Sequence, residues 1–416
     1  MAALGGFERQ PVLGVALSGG PDSLSLALLA DRWARSQGGR VHAITIDHAI
    51  RPDSAAEAKK VAQWMGALGI SHEIYRLQEV LPAADLQGQA RAARYRALER
   101  ICAERSILHL LTGHHREDQA ETFLLRLARG SGVDGLAAMA AVTPRRDIRI
   151  LRPLLNVPRA RLAQTCLAMG QVSVDDPSNR NPAFARVKLR QGWGVLDASG
   201  LSADRLAQTA QHLSRARAAL EDDTAALLAR VVRYHEAGFA RLDPAGLGGA
   251  SPEIGLRALV RVLQLVGGQY YKPRFERTER LYAELQRAVD RTLGGCRLVS
   301  EAAGTVLIYR EPAAIAPAEP LRVGAVHWDG RFTATAGPHA TDGLSIGALG
   351  MEGAAFLRAS LGLGPDHAIP SRVRPTLPCI RRLDEIQAVP HLSYYRSDAM
   401  TDPTLMVVVV SDPDNA

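Results

Sequence analysis

Lysine is nearly missing from this 416-residue chain. Its 50 basic residues are Lys59, Lys60, Lys188, Lys272 and 46 arginines. Arginine grips phosphate bidentately and stacks on bases, so the bias suits a phosphate-rich partner. A GC-rich genome would give the same bias without one. The net charge of +7 is a modest excess over this length and adds only weak support for an acidic partner. Cysteine is also sparse: Cys102, Cys166, Cys296 and Cys379 lie far apart. No CxxC pair exists, which argues against a zinc ribbon, a thioredoxin-like redox motif and a disulfide scaffold. Reduced cysteines in a cytoplasmic setting are the expectation. No apolar run approaches the roughly 18 residues a membrane helix needs, so no membrane partner is expected. The opening, MAALGGFERQ, has no basic stretch followed by an apolar one, so no secretory signal is expected. There is no HExxH pattern, and no internal repeat.

What is present is ordinary for a soluble globular chain: 47% hydrophobic and 22% charged residues. The length fits two or three domains of roughly 100–200 residues. Strand-like and helix-like stretches alternate over the first 200 residues. LGVAL (13–17), VHAITID (41–47), a stretch at 72–77, ILHLLT (107–112) and 148–151 read as strands. Stretches near 23–35, 54–68, 87–105 and 117–129 read as helices. Such alternation predicts an α/β domain over 1–200, a parallel sheet with helices on both faces. In such sheets ligands sit beyond the carboxyl ends of the strands. Residues 201–293 are rich in Ala, Leu and Arg at helical spacing and predict a helical domain. From 294 to 416 the chain turns Gly/Pro-rich with short β-like runs, predicting a small mixed α/β domain.

Polar clusters follow the predicted strands. Ser18-Gly19-Gly20-Pro21-Asp22-Ser23 lies between a strand and a helix. Its glycines let backbone N–H groups approach phosphate oxygens, and the helix start adds free N–H groups and a positive dipole end. Asp22 suits a Mg²⁺ ion or its waters. No Gly-Lys-Ser/Thr follows, so this is not a Walker A loop. Asp47 and His48 follow the second strand, where an open α/β fold places adenosine. Arg91 and Arg94 share a helix face with Tyr95 beside them, a pattern for phosphate or carboxylate contact. His114, His115 and Glu117 precede Asp118, Glu121 and Thr122, which fall at i, i+3 and i+4 on one helix face. Two carboxylates on one face beside two histidines suit cation binding, proton acceptance or both. Zinc is disfavoured, because carboxylates beside a phosphate-binding loop more often serve Mg²⁺ or an ammonium group. Later, Tyr270-Tyr271-Lys272-Pro273-Arg274-Phe275 interleaves aromatics with cations, which can stack bases and grip phosphates. Cys296 reads as packing rather than as a nucleophile.

The first loop resembles the SGGxDS pyrophosphate loop of the PP-loop ATP pyrophosphatases. Members include GMP and NAD synthetases, tRNA thiolation enzymes and the tRNA(Ile)-lysidine synthetases. The last family is the one that the ordered set of later segments resembles. Asp47-His48 to Arg51 is similar to its DHxxR, and Arg91-to-Tyr95 to its ARxxRY. Residues 113–122 are similar to its GHHxDDQxET, with Glu117 in place of the first Asp. LARGSG (127–132) is close to LxRGSG, and Arg152-Pro153-Leu154-Leu155 fits RPLL. Asp176 to Asn179, with Arg186 and Arg190, resembles its DxSN…RNxxR ending, with Val187 where the family has Asn. The resemblance covers roughly residues 13–190 and implies that the α/β domain over 1–200 is a Rossmann-like nucleotide-binding domain of the PP-loop ATPase kind.

The resemblance implies an enzyme that uses ATP, with Mg²⁺ expected, and two further substrates: free L-lysine and a CAU-anticodon tRNA(Ile). ATP adenylates C2–O of the wobble cytidine, and the lysine side-chain amine then displaces AMP, so that the tRNA reads AUA instead of AUG. It further implies that Ser18–Ser23, Asp47 and His48 bind ATP. Asp118 is then the first carboxylate for proton acceptance or ammonium binding, with Glu121 next and His115 beside them. Arg91, Arg94, His114, Glu117, Arg129, Arg186 and Arg190 are implied to contact substrate or tRNA, and residues 201–416 to hold the tRNA. A related tRNA thiolase is the alternative, although the chain lacks the close cysteine pair that sulfur transfer usually uses. A tRNA-binding protein that only senses ATP is a second rival, opposed by the intact loop and acids. The sequence leaves the oligomeric state open, a homodimer among the options.

Overall fold

The computed structural model describes residues 1, 4–47, 54–77, 86–145, 147–174, 185–336, 343–396 and 406–409. His48 and the Asp176–Asn179 segment lie outside the described residues. The chain forms two compact units, Met1–Ala218 and Ala219–Asp414.

The first unit is built on a six-stranded sheet. Its elements run β1 (Val12–Ala16), α1 (Pro21–Ser36), β2 (Arg40–Asp47), α2 (Ser54–Ala67), β3 (Ser71–Arg76), α3 (Leu86–Glu104), β4 (His109–Leu111) and α4 (Arg116–Leu127). There follow α5 (Val133–Leu136), β5 (Val142–Pro144), β6 (Arg149–Leu151), α6 (Arg159–Ala168), α7 (Ala185–Gln191), α8 (Trp193–Ala198) and α9 (Ala203–Val231). The strand order is β3-β2-β1-β4-β6-β5. All pairings are parallel except the edge strand β5. β1 and β2 are apolar on both faces because helices cover both, as parallel sheets require. Leu24 and Ala27 of α1, Val61 and Met65 of α2, and Leu162 and Cys166 of α6 pack with Leu13, Val15 and Val41 in one core cluster. Leu98, Ile101 and Cys102 of α3 pack with Ile44 and Leu110 in another. α4 leans on α9 through Ala120, Phe123, Leu206 and Ala210.

The order matters for function. From β1 the chain steps outward to β2 and β3, then returns to place β4 on the other side of β1. That reversal makes the gap between β1 and β4 a topological switch point, where open α/β sheets bind ligands. The loops that leave β1 and β4 are 17–20 and 112–115.

The second unit departs from the helical expectation for 201–293. Strands β7 (Val232–His235) and β8 (Phe239–Leu242) precede α10 (Pro244–Gly248), α11 (Pro252–Gly267) and α12 (Phe275–Glu284). β9 (Asp290–Leu293), β10 (Cys296–Ser300) and β11 (Val306–Arg310) complete an antiparallel sheet of order β7-β8-β11-β10-β9. The boundary expected at 293/294 therefore falls at the tip of the β9–β10 hairpin. The division between the two units falls instead inside α9. β11 is buried on both faces: Val306 and Ile308 meet Leu259 and Val262 of α11, while Leu307 and Tyr309 meet Leu349 and Val373.

Residues beyond β11 carry the mixed structure expected there. β12 (Glu319–Pro320), β13 (Gly324–Trp328), β14 (Phe332–Ala336), β15 (Leu344–Ala348), α13 (Gly350–Leu361), β16 (Pro378–Arg382), β17 (Glu385–Val389), β18 (Tyr394–Tyr395) and β19 (Met406–Val409) form two antiparallel sheets and a helix. Buried Asp329 accepts from Arg310 and Arg331, at 2.7 Å each. No helix among the described residues is long and apolar enough to cross a membrane.

Candidate functional site

The loop after β1 is shaped by its own side chains. The Ser18 N–H donates to Ser23 Oγ at 3.1 Å, and Ser23 Oγ donates to the Gly20 carbonyl at 3.1 Å. Gly19 has φ +81°, the left-handed region; a Cβ there would also come within 2.7 Å of Val61 Cγ2. Glycine is thus required twice over at this position. Gly20 caps α1 and Pro21 opens it. The N–H groups of Asp22 and Ser23, in the first turn, have no acceptor within the helix and remain available to an anion.

The loop after β4 is pressed against the first. A Cβ on Gly113 would lie 3.2 Å from both Cα and N of Ser23. His115 then caps α4, its N–H donating to Asp118 Oδ2 at 3.0 Å. The His115 ring is 3% exposed and sits among three carboxylates. Its Nδ1 lies 3.1 Å from Glu117 Oε2, and its Nε2 lies 3.4 Å from Asp118 Oδ2 and 3.7 Å from Asp22 Oδ2. Burial alone would lower the His115 pKa. The Glu117 hydrogen bond and the charges of Asp118, Asp22 and Glu117 outweigh that, so the net shift is upward. Burial also opposes ionisation of Glu117, yet His115 and the Arg159 N–H hold its carboxyl at about 2. Asp22 is shifted upward, because burial outweighs the nearby cations His115 and Arg159. Its Oδ1 is buried without a hydrogen-bond partner.

Glu121 is 2% exposed and faces α7. Arg190 holds it with two bonds, Nε to Oε1 at 2.5 Å and Nη2 to Oε2 at 3.2 Å. The same guanidinium approaches Asp118 Oδ1 at 3.7 Å, and Arg186 reaches Thr122 Oγ1 at 3.4 Å. α4 and α7 are thereby joined through the residues that the sequence singled out on both.

His114 points elsewhere. Its Nδ1 lies 2.9 Å from Thr112 Oγ1. Burial, then the charges of Arg152, Arg91, Arg94 and Arg186, hold its pKa well below the ordinary imidazole value, so it is neutral. The charges of arginines on α3, in the RPLL segment and on α7 thus all act on one neutral histidine. Arg152 is buried and donates to the Ala140 carbonyl at 2.8 Å and Thr143 Oγ1 at 2.7 Å. Arg91 is exposed and stacks over Tyr95, 5.2 Å from its ring centre.

Other singled-out residues lie apart from this convergence. Arg129 is exposed just past the end of α4. Asp47 is buried at the end of β2, where Ser54 Oγ donates to its Oδ1 at 2.7 Å. Val187 is buried on α7. Gln119 bonds Met139 reciprocally, at 2.9 and 2.8 Å, and so braces α4 against the chain before β5. Among the described residues, no group of three His, Cys, Asp or Glu is arranged to hold a metal unaided. Sequence reasoning missed Arg159, whose Nε lies 3.7 Å from Asp22 Oδ2. Its sequence signal was slight: Pro158 ahead of an apolar-periodic stretch containing Leu162 and Cys166.

The PP-loop domain family matches residues 3–194. A tRNA(Ile)-lysidine synthase of Bradyrhizobium sp. is 42% identical over 271 residues, 63% of this chain and 76% of that protein. The enzyme of that name from Rhodopseudomonas palustris is 38% identical, over 76% of this chain and 93% of its own length. That from Orientia tsutsugamushi is 29% identical over 98% of this chain and 95% of its own. Among solved structures, a tRNA thiolase from Methanococcus maripaludis aligns at 17% identity with a TM-score of 0.45, covering 51% of this chain and 76% of that one.

Proposed function

The chain belongs to the tRNA(Ile)-lysidine synthase family, and from that premise we propose that it joins free L-lysine to C2 of the wobble cytidine of CAU-anticodon tRNA(Ile). The observation that carries the reading is the convergence at the switch point. The Ser18–Ser23 loop from β1 and the acid-bearing start of α4 from β4 meet there, with His115 3.7 Å from Asp22.

The chemistry has two steps. The C2 oxygen of cytidine attacks the α-phosphorus of ATP, and the α–β bridging bond breaks to release pyrophosphate. Oxygen is a poor leaving group until it is made an AMP ester. The lysine side-chain amine then attacks C2, and the C2–O bond breaks to expel AMP. The first-turn N–H groups of α1 and the Ser18 hydroxyl would receive the developing charge on pyrophosphate. A Mg²⁺ ion fits the loop, because Asp22 Oδ1 is buried and unsatisfied. Magnesium binds through one or two carboxylates plus substrate phosphates, and it would neutralise the leaving group's charge.

A lysine amine, with an ordinary pKa near 10.4, must lose a proton before it can attack. Asp118 is assigned to accept that proton or hold the ammonium. Glu121 is the less available acid, since Arg190 occupies both its oxygens. Its role is to fix Arg190, and through it α7. His115, enclosed by carboxylates, keeps Asp22 and Asp118 from repelling one another. The second unit is assigned to hold the tRNA. Tyr270 and Tyr271 ahead of α12, and Phe275 at its start, are 50%, 82% and 61% exposed beside Lys272 and Arg274. Exposed rings next to cations suit unstacked bases and phosphates.

Pyrophosphate release tests the first step. Release that requires CAU-anticodon tRNA(Ile) supports this reading. Release that ignores tRNA would mean that ATP is cleaved for another acceptor, and no release with tRNA bound would point to an ATP-sensing binder.

A further inference from the structure

The Ser18–Ser23 loop has no cation of its own, yet a departing pyrophosphate needs positive charge beside it. The cations around the loop are not equivalent. Arg190 is committed to Glu121 through two bonds, at 2.5 and 3.2 Å. His115 is buried among Asp22, Glu117 and Asp118. Arg159 differs from both. Its Nε stands 3.7 Å from Asp22 Oδ2, beyond hydrogen-bond distance, and 48% of its side chain is exposed.

The backbone of Arg159, by contrast, is held firmly. It is the first residue of α6, which packs on α1, the helix that the loop opens. Ser25 Oγ on α1 donates to the Leu162 carbonyl on α6 at 2.7 Å. Glu117 Oε2 accepts the Arg159 N–H at 3.0 Å as well as the bond from His115. The Arg116 N–H donates to the Val157 carbonyl at 3.1 Å, a second tie between the start of α4 and the approach to α6. A fixed backbone under a loosely engaged guanidinium suits a cation that leaves a carboxylate for an incoming anion.

We propose that Arg159 binds the β- and γ-phosphates of ATP, and the pyrophosphate they become, with Glu117 as its positioning residue. The inference rests on the reading above that ATP sits on the Ser18–Ser23 loop. Arginine offers a fork of parallel N–H groups that matches phosphate oxygens. Glu117 stands where the family pattern has Asp, and its arm, longer by one methylene of roughly 1.5 Å, spans from α4 to the first N–H of α6.

Calorimetric titration of the full chain with ATP, pyrophosphate and AMP, each with Mg²⁺, tests this. Arg159→Ala is expected to weaken ATP and pyrophosphate roughly tenfold or more, as for a lost bond to a charged group. AMP, which lacks those phosphates, should change less than about twofold on the same scale. Arg159→Lys should recover part of the loss. Glu117→Ala should lower the ATP-to-AMP affinity ratio in the same direction, and Glu117→Gln, which keeps an acceptor for the Arg159 N–H, should restore it. Equal losses for all three ligands would make Arg159 merely structural and overturn the proposal. Unchanged ATP and pyrophosphate binding in Arg159→Ala would overturn it too. A wild-type chain that binds no ATP would overturn the underlying reading instead.

Discussion

Gly113→Ala adds one methyl group at the point where the two switch-point loops touch. The new Cβ would lie 3.2 Å from Ser23 Cα, 3.2 Å from Ser23 N and 3.3 Å from Asp22 C. Carbon pairs pack best at roughly 3.5–4.0 Å, so the contact is short by a few tenths of an ångström. All three atoms are backbone in the first turn of α1, which Leu24 N–H to Gly20 O anchors at 3.0 Å. No side chain can swing aside, so α1 or the β4–α4 turn must shift. Overpacking of this kind costs about 1–3 kcal/mol. In a unit spanning Met1–Ala218, that lowers the melting temperature by roughly 2–12 °C. The same shift moves Asp22 relative to Asp118, and misplacements of this order cost at least roughly tenfold in rate. Thermal unfolding and labelled-lysine incorporation read the two effects. Gly66→Ala is the control, since a Cβ there meets nothing within 4 Å and a helical Gly→Ala stabilises by roughly 0.5–1 kcal/mol. A Gly113→Ala protein with unchanged melting and full incorporation would refute the claim that the two loops are in obligatory contact.

Three further outcomes are expected. Glu121→Gln should destabilise by about 2 kcal/mol, less than a fully buried pair because a third of Arg190 is exposed; Asp118→Asn should keep its melting temperature, retaining an acceptor for the His115 N–H, and lose lysidine formation. Equal melting curves for the two variants, or an active Asp118→Asn, would contradict these assignments. Cys102 and Cys296 are fully buried and their thiols are pushed up to about 12, with Cys379 at about 11; a raised pKa means the thiol form at pH 8, so a disulfide reagent should find no native reactivity at these residues and full reactivity in guanidinium. Tyr271→Ala and Phe275→Ala should each weaken tRNA binding roughly tenfold, the value of one base stack, while ATP binding stays unchanged; a filter-binding assay with unaltered tRNA affinity would remove this surface from recognition.

Much of the first unit was legible in the sequence, for a physical reason. Parallel strands buried on both faces must be apolar runs, so LGVAL and VHAITID announce themselves, and the chemistry of such sheets lies just past those runs. Ser18–Ser23 and His114–Glu121 were singled out in this way. What sequence could not supply was partnership. Nothing in the spacing says that Arg190 takes both oxygens of Glu121, or that His115 sits beside Asp22 while His114 bonds Thr112. The strands within 201–293 were hidden by their brevity amid helical composition. A signal did exist in VRYHEAGFARL, a short loop ending in Gly238 at φ +79° between two runs of four residues. Asp329-Gly330, both at positive φ, likewise marks the β13–β14 hairpin by the turn it requires.

The central claim is that the switch-point site ligates lysine to a wobble cytidine. Labelled lysine, ATP and Mg²⁺ are incubated with the full chain and a CAU-anticodon tRNA(Ile) transcript, beside a transcript whose wobble C is changed to U. The expected result is incorporation that requires both ATP and the wobble C. Tight tRNA binding and tRNA-dependent pyrophosphate release with no incorporation would contradict the claim, leaving an adenylating enzyme with another nucleophile, sulfur first.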